Sequence, residues 1–287
     1  MKETPTKFPS LPGWADTANG LHRAAQILGA IRMLTREPAL NYLELALRVL
    51  PDGLSGEALP SGGAVTLDFT RAAVIVSALD KKTASIALDG LTQASLLERI
   101  LETLHAQGQP LVQPQDGSFG AAFLAVLHAK HHALDGSLEV TNADPIRVDA
   151  EVSARYARVL WRAFTATARW RSRLAGFVTP VVVWAEHFDL STLWFATDHH
   201  DENAPHINFG FAPFDAEFQT PYLYTYASPM PDGFETLPLP EGARWHTQGW
   251  KGMVIPYDVL EMTNDPEALI ESAFEAVYNT LAPTLRS

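Results

Sequence analysis

The chain has 287 residues, 47% of them hydrophobic, with 33 acidic against 21 basic side chains and a formal net charge of -12. This acidity argues against nucleic acid or an anionic membrane as a general partner, because neither polyanion gains counterion-release energy from a negative surface. With no cysteine, disulfides, thiol nucleophiles and iron-sulfur ligation are excluded, and the cytoplasm is the default location.

The opening MKETPTKFPSLPGW lacks the apolar core of a secretory signal, and no later apolar run has the length of a membrane span. Apolar periodicity predicts a first helix from about Asp16 to Leu34, which sets His22, Gln26 and Gly29 near one another on one face before Pro38. Strands are expected at Tyr42 to Val49, Val65 to Phe69, Ala73 to Leu79 and Ser85 to Leu88, separated by PDG, SGG and DKK turn signals, as an antiparallel meander. Thr92 then caps a helix whose stripe is Leu96, Leu97, Ile100, Leu101 and Leu104, and Gly108 stops it.

A stretch rich in Gln, Pro and Gly from Gln107 to Gly120 marks a boundary. Beyond it come a short helix near Phe119 to Leu134 and a long one from about Val148 to Leu174, ending at Gly176. Strands fit Pro180 to Glu186, Ser191 to Thr197, Tyr222 to Tyr226 and Met253 to Ile255. A final helix starts at about Asp265 and ends before Pro283. The fold class is therefore α+β: an antiparallel sheet with flanking helices in two similar helix-sheet-helix halves, 1-110 and 148-287, joined by 111-147, or packed as one domain. The halves also rhyme, since VTLDFTRAAVIVSALD and EHFDLSTLWFATD each set an Asp at an apolar strand entry.

Three constellations carry candidate chemistry. VVVWAEHFDLSTLWF at Val181 to Phe195 has a buried-strand pattern that also carries Glu186, His187 and Asp189, which must be paired, hydrated or used. In an extended strand His187 and Asp189 share a face. With His199, His200, Asp201 or His206 from the loop DHHDENAPH they can ligate a divalent transition metal, as against a solvated polar loop. A second pair, His128 and His132, lies one helical turn apart beside His131, on a face opposite Phe119, Phe123, Val126, Leu127 and Leu134; surface histidines are the plainer reading.

On the long helix, Arg155, Arg158, Arg162, Arg169 and Arg173 fall in a sector of about 60°. Such a ridge grips anions, meets a partner subunit in a homo-oligomer, or pairs with acidic neighbours. Tyr222, Tyr224 and Tyr226 share a strand face that either lines a ligand pocket, with Trp184, Trp194, Trp245 and Trp250 for stacking, or packs in the core. No nucleophile elbow or dinucleotide fingerprint is present.

The spacing of Trp14, Thr17, Leu21, His22, Gln26, Gly29 and Arg32, then Asn41, Gly53, Leu54, Asp68 and Phe69, resembles an uncharacterised bacterial family known only as a domain of unknown function. So do Gly176, Pro180, Trp184, FDL at Phe188 to Leu190, HINFGFAP at His206 to Pro213, YLYTYASPMPDGF at Tyr222 to Phe234 and IPYD at Ile255 to Asp258. The family pattern carries histidines at positions here filled by Tyr42, Ala73 and Val182, and an Arg after FDL that this chain lacks, while His187 is an added residue. The resemblance thus implies an undescribed activity, lost or rearranged here if those histidines do chemistry. It implies a site lined by Trp14, His22, Gln26, Asp68, Trp184, Asp189 and His206.

These readings converge on a small-molecule binder or uncharacterised enzyme with a polar-aromatic pocket, in which His22, Asp189 and His206 are the acid, base or hydrogen-bonding groups and Trp14, Gln26, Asp68, Trp184, Tyr222 and Tyr224 line the ligand site. The alternatives are a metal-dependent hydrolase or oxygenase using His187, Asp189, His199, His200 and His206, and a non-catalytic assembly protein joined through the arginine ridge.

Overall fold

Helix α1 (Trp14–Thr35) is apolar around almost its whole circumference, with Ala18, Leu21, Ala25, Leu28 and Ile31 among its buried residues, so it must be surrounded rather than lie on a surface. The computed structural model describes residues 7–80, 82–130, 138–201 and 203–286, and it surrounds that helix as the pattern requires. The contacts divide the chain into two units. The N-terminal unit is Pro12–Arg158 with Val183–Phe188; the C-terminal unit is the described part of Met1–Leu11, Val159–Val182 and Asp189–Ser287.

In the N-terminal unit α1 packs on an antiparallel meander of β1 (Ala46–Leu50), β2 (Gly53–Ala58), β3 (Ala64–Asp68), β4 (Ala73–Ser77) and β5 (Thr83–Ala87). Leu47, Val49, Leu54, Val65, Leu67, Val74 and Val76 form its core face, while Arg48 and Ser85 alternate outward, as period two demands. Gly29 is where α1 meets this unit most closely, since a Cβ there would lie 2.4 Å from that of Ala185. At the C-terminal end of α1, Arg32 donates to the carbonyls of Leu43, Glu44 and Gly56 and to the Glu57 carboxylate at 2.8 Å, pinning the entry to the sheet. That hydrogen bond from Arg32 holds the Glu57 carboxyl below the usual range.

Thr92 caps α2 (Gln93–Ala106) with Ser95 as its reciprocal partner, as the sequence predicts. The Glu98 carboxylate then receives the amides of Phe119 and Gly120 at 2.7 Å and so caps the start of α3 (Phe119–Lys130).

Helix α4 (Ala150–Arg171) contributes its first turns to the N-terminal unit, where Tyr156 is buried, and the rest to the C-terminal unit. There α4 and α6 (Pro266–Leu285) cover one face of a sheet ordered β10-β11-β9-β8-β7: Trp170 and Phe274 meet Phe209, and Tyr278 meets Trp194. The strands are β7 (Asp189–Phe195), β8 (His206–Ala212), β9 (Tyr222–Ser228), β10 (Arg244–His246) and β11 (Gly252–Pro256), and α5 (Tyr257–Met262) follows β11 directly.

Several sequence expectations are corrected. The strands expected at Pro180 to Glu186 and Ser191 to Thr197 are both present, but the extended stretch assumed for His187 and Asp189 is not, because Ala185 to Phe188 form a turn in which Phe188 has a φ of 61° and its amide bonds the Trp184 carbonyl at 2.7 Å. The first of these strands, β6 (Val182–Trp184), pairs antiparallel with β1, Leu47 facing Val183, and joins the N-terminal unit's sheet. Strands β2, β8 and β10 have no counterpart in the sequence reading. Gly53, Gly56 and Gly210 broke the pattern of the first two, and β10 has only three residues. Tyr42, read as the start of a strand, ends a short 3-10 turn at Leu40–Tyr42, and β1 begins only at Ala46. The last helix runs past Pro283. Val126, assigned to a buried side, is 47% exposed. Leu134 lies outside the described residues.

Four of the five ridge arginines meet acidic neighbours, and Arg158 is exposed. Arg162 forms a two-pronged pair with Glu267, with its second nitrogen 2.6 Å from Oε2, while Arg169 and Arg173 both reach Glu271 on α6. Arg155 pairs with Glu151 one turn earlier. Arg162 also donates to the Lys7 carbonyl at 3.0 Å and stands 5.0 Å over the Phe8 ring, so it anchors the start of the described chain. No helix among the described residues is long and apolar enough to cross a membrane.

Arg162→Ala is expected to lower unfolding stability by about 2 kcal/mol, because it strands a largely buried carboxylate. Arg155→Ala, which breaks an exposed i,i+4 pair, should cost under about 0.5 kcal/mol. Urea denaturation of the two variants checks the difference.

Candidate functional site

The face of the C-terminal sheet opposite the helices is set by β8 and β9, whose register places His206 opposite Ser228, Asn208 opposite Tyr226, Gly210 opposite Tyr224 and Ala212 opposite Tyr222. Alternation therefore puts the three tyrosines in one row, as the sequence predicts, beside His206 and Asn208. Gly210 decides how that row lies. A Cβ at this position would come within 2.3 Å of the Tyr224 ring, so the ring occupies the space a side chain would take. The Tyr224 hydroxyl thereby crosses β8 and donates to the Asp189 carboxylate at the start of β7.

Burial is the main reason the Tyr224 hydroxyl is held well above its ordinary pKa, and the Asp189 charge adds to it. Tyr222 is pushed up likewise by burial and by its 2.6 Å bond to Asp215. Tyr226 is raised by burial, its hydroxyl accepting the Asn208 amide N–H at 3.1 Å. The Asn208 side-chain carbonyl is buried and has no hydrogen-bond donor among the described residues. Trp250 packs on all three tyrosines at 6.1 to 6.5 Å between ring centroids and on His246 at 4.6 Å. Sequence reading reached Tyr222, Tyr224, Trp250 and Asp189 but did not single out Asn208, Gly210 or His246. The only available signal was the period-two spacing of His206, Asn208 and Gly210 inside HINFGFAP.

His206, expected in a loop, is the first residue of buried β8. Burial lowers its pKa, and its Nδ1–H donates to the Ala204 carbonyl at 2.8 Å, which leaves the lone pair of the neutral ring on Nε2. Such a ring can accept a proton. The neighbouring histidines are arranged differently. His200 stacks on Phe177 at 3.8 Å, His199 is exposed, and Asp201 accepts the amides of Asn203 and Ala204 in a turn. His187 is exposed on the turn before Phe188, so the shared strand face expected for His187 and Asp189 does not exist. Among the described residues no three His, Asp or Glu side chains gather as a metal site. His128 is exposed, and His131 and His132 lie outside the described residues.

The other predicted site residues belong to the N-terminal unit. His22 stacks on Phe188 at 5.6 Å, and its Nε2–H donates to the Glu186 carbonyl at 2.8 Å. Burial depresses its pKa to about 4, so the ring is neutral at pH 7. Trp14 packs on Tyr156 at 4.3 Å, and Tyr156 in turn meets Phe69 and Phe188. Trp184 is buried in β6. Gln26 accepts from Gln93, which also donates to the carbonyls of Arg23 and Glu139. Asp68 caps a turn through the Thr70 hydroxyl and the Arg71 amide. These contacts of Gln26 and Asp68 hold the chain path. An open cleft of about 580 Å³ in this unit is edged by Asp16, Asp89, Arg147 and Asp149, but Asp149 is engaged as a helix cap, accepting from Glu151 and Val152.

The chain belongs to a family of unknown function (DUF5996), whose model matches residues 8–118 and 122–286. No curated protein and no solved structure matches it.

The His22 ring makes stability depend on pH. Its folded pKa of about 4 lies below the unfolded value of 6.5, so its contribution is complete above pH 6.5 and is lost as the pH falls toward 4, where the unfolded chain takes up a proton that the folded one refuses. The loss reaches at most about 3 kcal/mol. In His22→Gln, which keeps a donor for the Glu186 carbonyl, unfolding free energy should fall less steeply between those limits, as read by denaturant titrations at several pH values. Gly210→Ala is expected to destabilise by about 2 kcal/mol through displacement of the Tyr224 ring, and loss of near-UV dichroism would register the move.

Proposed function

We propose that the C-terminal unit binds a small organic molecule on its tyrosine face, with Asn208, Tyr226 and Trp250 as the contact surface and Asp189 and Tyr224 as the support beneath. The observation that carries this reading is the buried Asn208 carbonyl, which has no donor among the described residues although a native interior normally pairs such groups. It lies on the same face as Tyr226 and Trp250, both only partly buried, so an acceptor and two aromatic surfaces border one place. His206 heads the same strand as a neutral imidazole able to accept a proton. The acidic, cysteine-free composition supports a cytoplasmic setting. The two segments matched by the family model support an internal duplication in which the ligand face belongs to the second copy, although Asp68 closes a strand where Asp189 opens one.

A thermal-shift screen of metabolites tests the binding reading, since a compound at a hundred times its Kd stabilises by about 2.7 kcal/mol, or several degrees. Compounds that raise the melting temperature of the native protein should lose most of that effect in Asn208→Ala and in Tyr226→Phe. Hits that stabilise both variants as fully as the native protein would place binding elsewhere and end the proposal.

A further inference from the structure

Three carboxylates bear on the aromatic cluster of the C-terminal unit. Asp189 accepts the Tyr224 hydroxyl, Asp215 accepts the Tyr222 hydroxyl, and Glu217 lies 3.2 Å from Nε2 of His246, whose ring packs on Trp250. Among the described residues of these strands, the guanidinium on the same face is that of Arg244, exposed and 5.7 Å over the Phe218 ring. Lys251 is turned instead over Phe234, at 5.9 Å. From this imbalance, the aromatic faces of Tyr226 and Trp250 and the acceptor on Asn208, we propose that the tyrosine face selects a small organic cation carrying an N–H, a primary ammonium compound. The inference rests on the binding reading above and names its ligand class.

The chemistry follows from each group. A phenol or indole ring presents negative potential on its face and attracts an ammonium placed over it, most strongly at tryptophan. Carboxylates beneath the rings add to that potential, where partial burial weakens screening by salt. The Asn208 carbonyl can only accept, so it requires a ligand that donates, and an ammonium N–H does so with charge assistance. The raised pKa of Tyr222, Tyr224 and Tyr226, to each of which Asp189 contributes, reports the same negative field and keeps the hydroxyls protonated. An anion meets repulsion in this place, and a neutral molecule gains stacking alone. A bare metal ion is poorly served, because no three ligating side chains converge among the described residues.

Calorimetric titration at low salt with three molecules of one shape tests the claim: phenethylammonium, 2-phenylethanol and phenylacetate. The ammonium is expected to bind about tenfold more tightly than the alcohol, and the carboxylate most weakly. In Trp250→Leu the preference for the ammonium over the alcohol should shrink several-fold. In Glu217→Gln, an exposed and isosteric change that spares the fold, it should shrink about twofold to threefold. If the alcohol binds as tightly as the ammonium, and both lose affinity in Asn208→Ala, the face binds ligands without selecting cations and this inference fails while the binding reading survives. If phenethylammonium does not bind, or binds equally to Trp250→Leu, Glu217→Gln and the native chain, the inference is overturned.

Discussion

Tyr224 reaches Asp189 only because residue 210 has no side chain. That vacancy lets a phenol lie across a neighbouring strand and set its hydroxyl against a carboxylate two strands away, in a place where an unpaired charge would be costly. With the donor in place, Asp189 remains in the interior, while strand alternation sets Tyr222 and Tyr226 in the same row, bonded to Asp215 and Asn208. Trp250 then closes over all three rings. The contact between Tyr224 and Asp189 thus depends on one missing Cβ on β8.

The opposite face of that sheet does the work of folding. Phe209, Trp194 and their neighbours are sealed by aromatic residues of α4 and α6, and the two helices are tied by Arg162 and Arg169 to Glu267 and Glu271. This division lets one side of the strands carry polar chemistry while stability comes from the other. The N-terminal unit shows no comparable division of labour. There the buried Arg32, Gln26, Gln93 and Asp68 close loops and helix ends through backbone groups and neighbouring side chains.

Membership in a family of unknown function adds no activity to this picture, yet the residues that carried the resemblance now separate by role. Arg32, Gln26 and Asp68 act in folding. Gly29 grants α1 its closest approach, and the HINFGFAP and YLYTYASP stretches build the two strands of the polar face.

Much of the architecture was legible in one dimension. The apolar stripes of α1, α2 and α4, the Thr92 cap, the punctuation between β3, β4 and β5 and the shared face of the tyrosines are local properties, fixed by periods of 3.6 and 2 and by which side chains can bond their own backbone. What stayed hidden was non-local. A φ of 61° at Phe188 places His187 on a turn and not on the strand that begins at Asp189, and no residue pattern announces that conformation. The pairing of Tyr224 with Asp189, 35 positions apart, and the isolation of the Asn208 carbonyl depend on strand register. Sequence alone determined which residues are able to form helix, strand or cap. Tertiary structure decided which of the ionisable groups meet, because a contact across strands is set by hydrogen-bond register and by an absent side chain at Gly210, neither of which is encoded within reach of the residues it brings together.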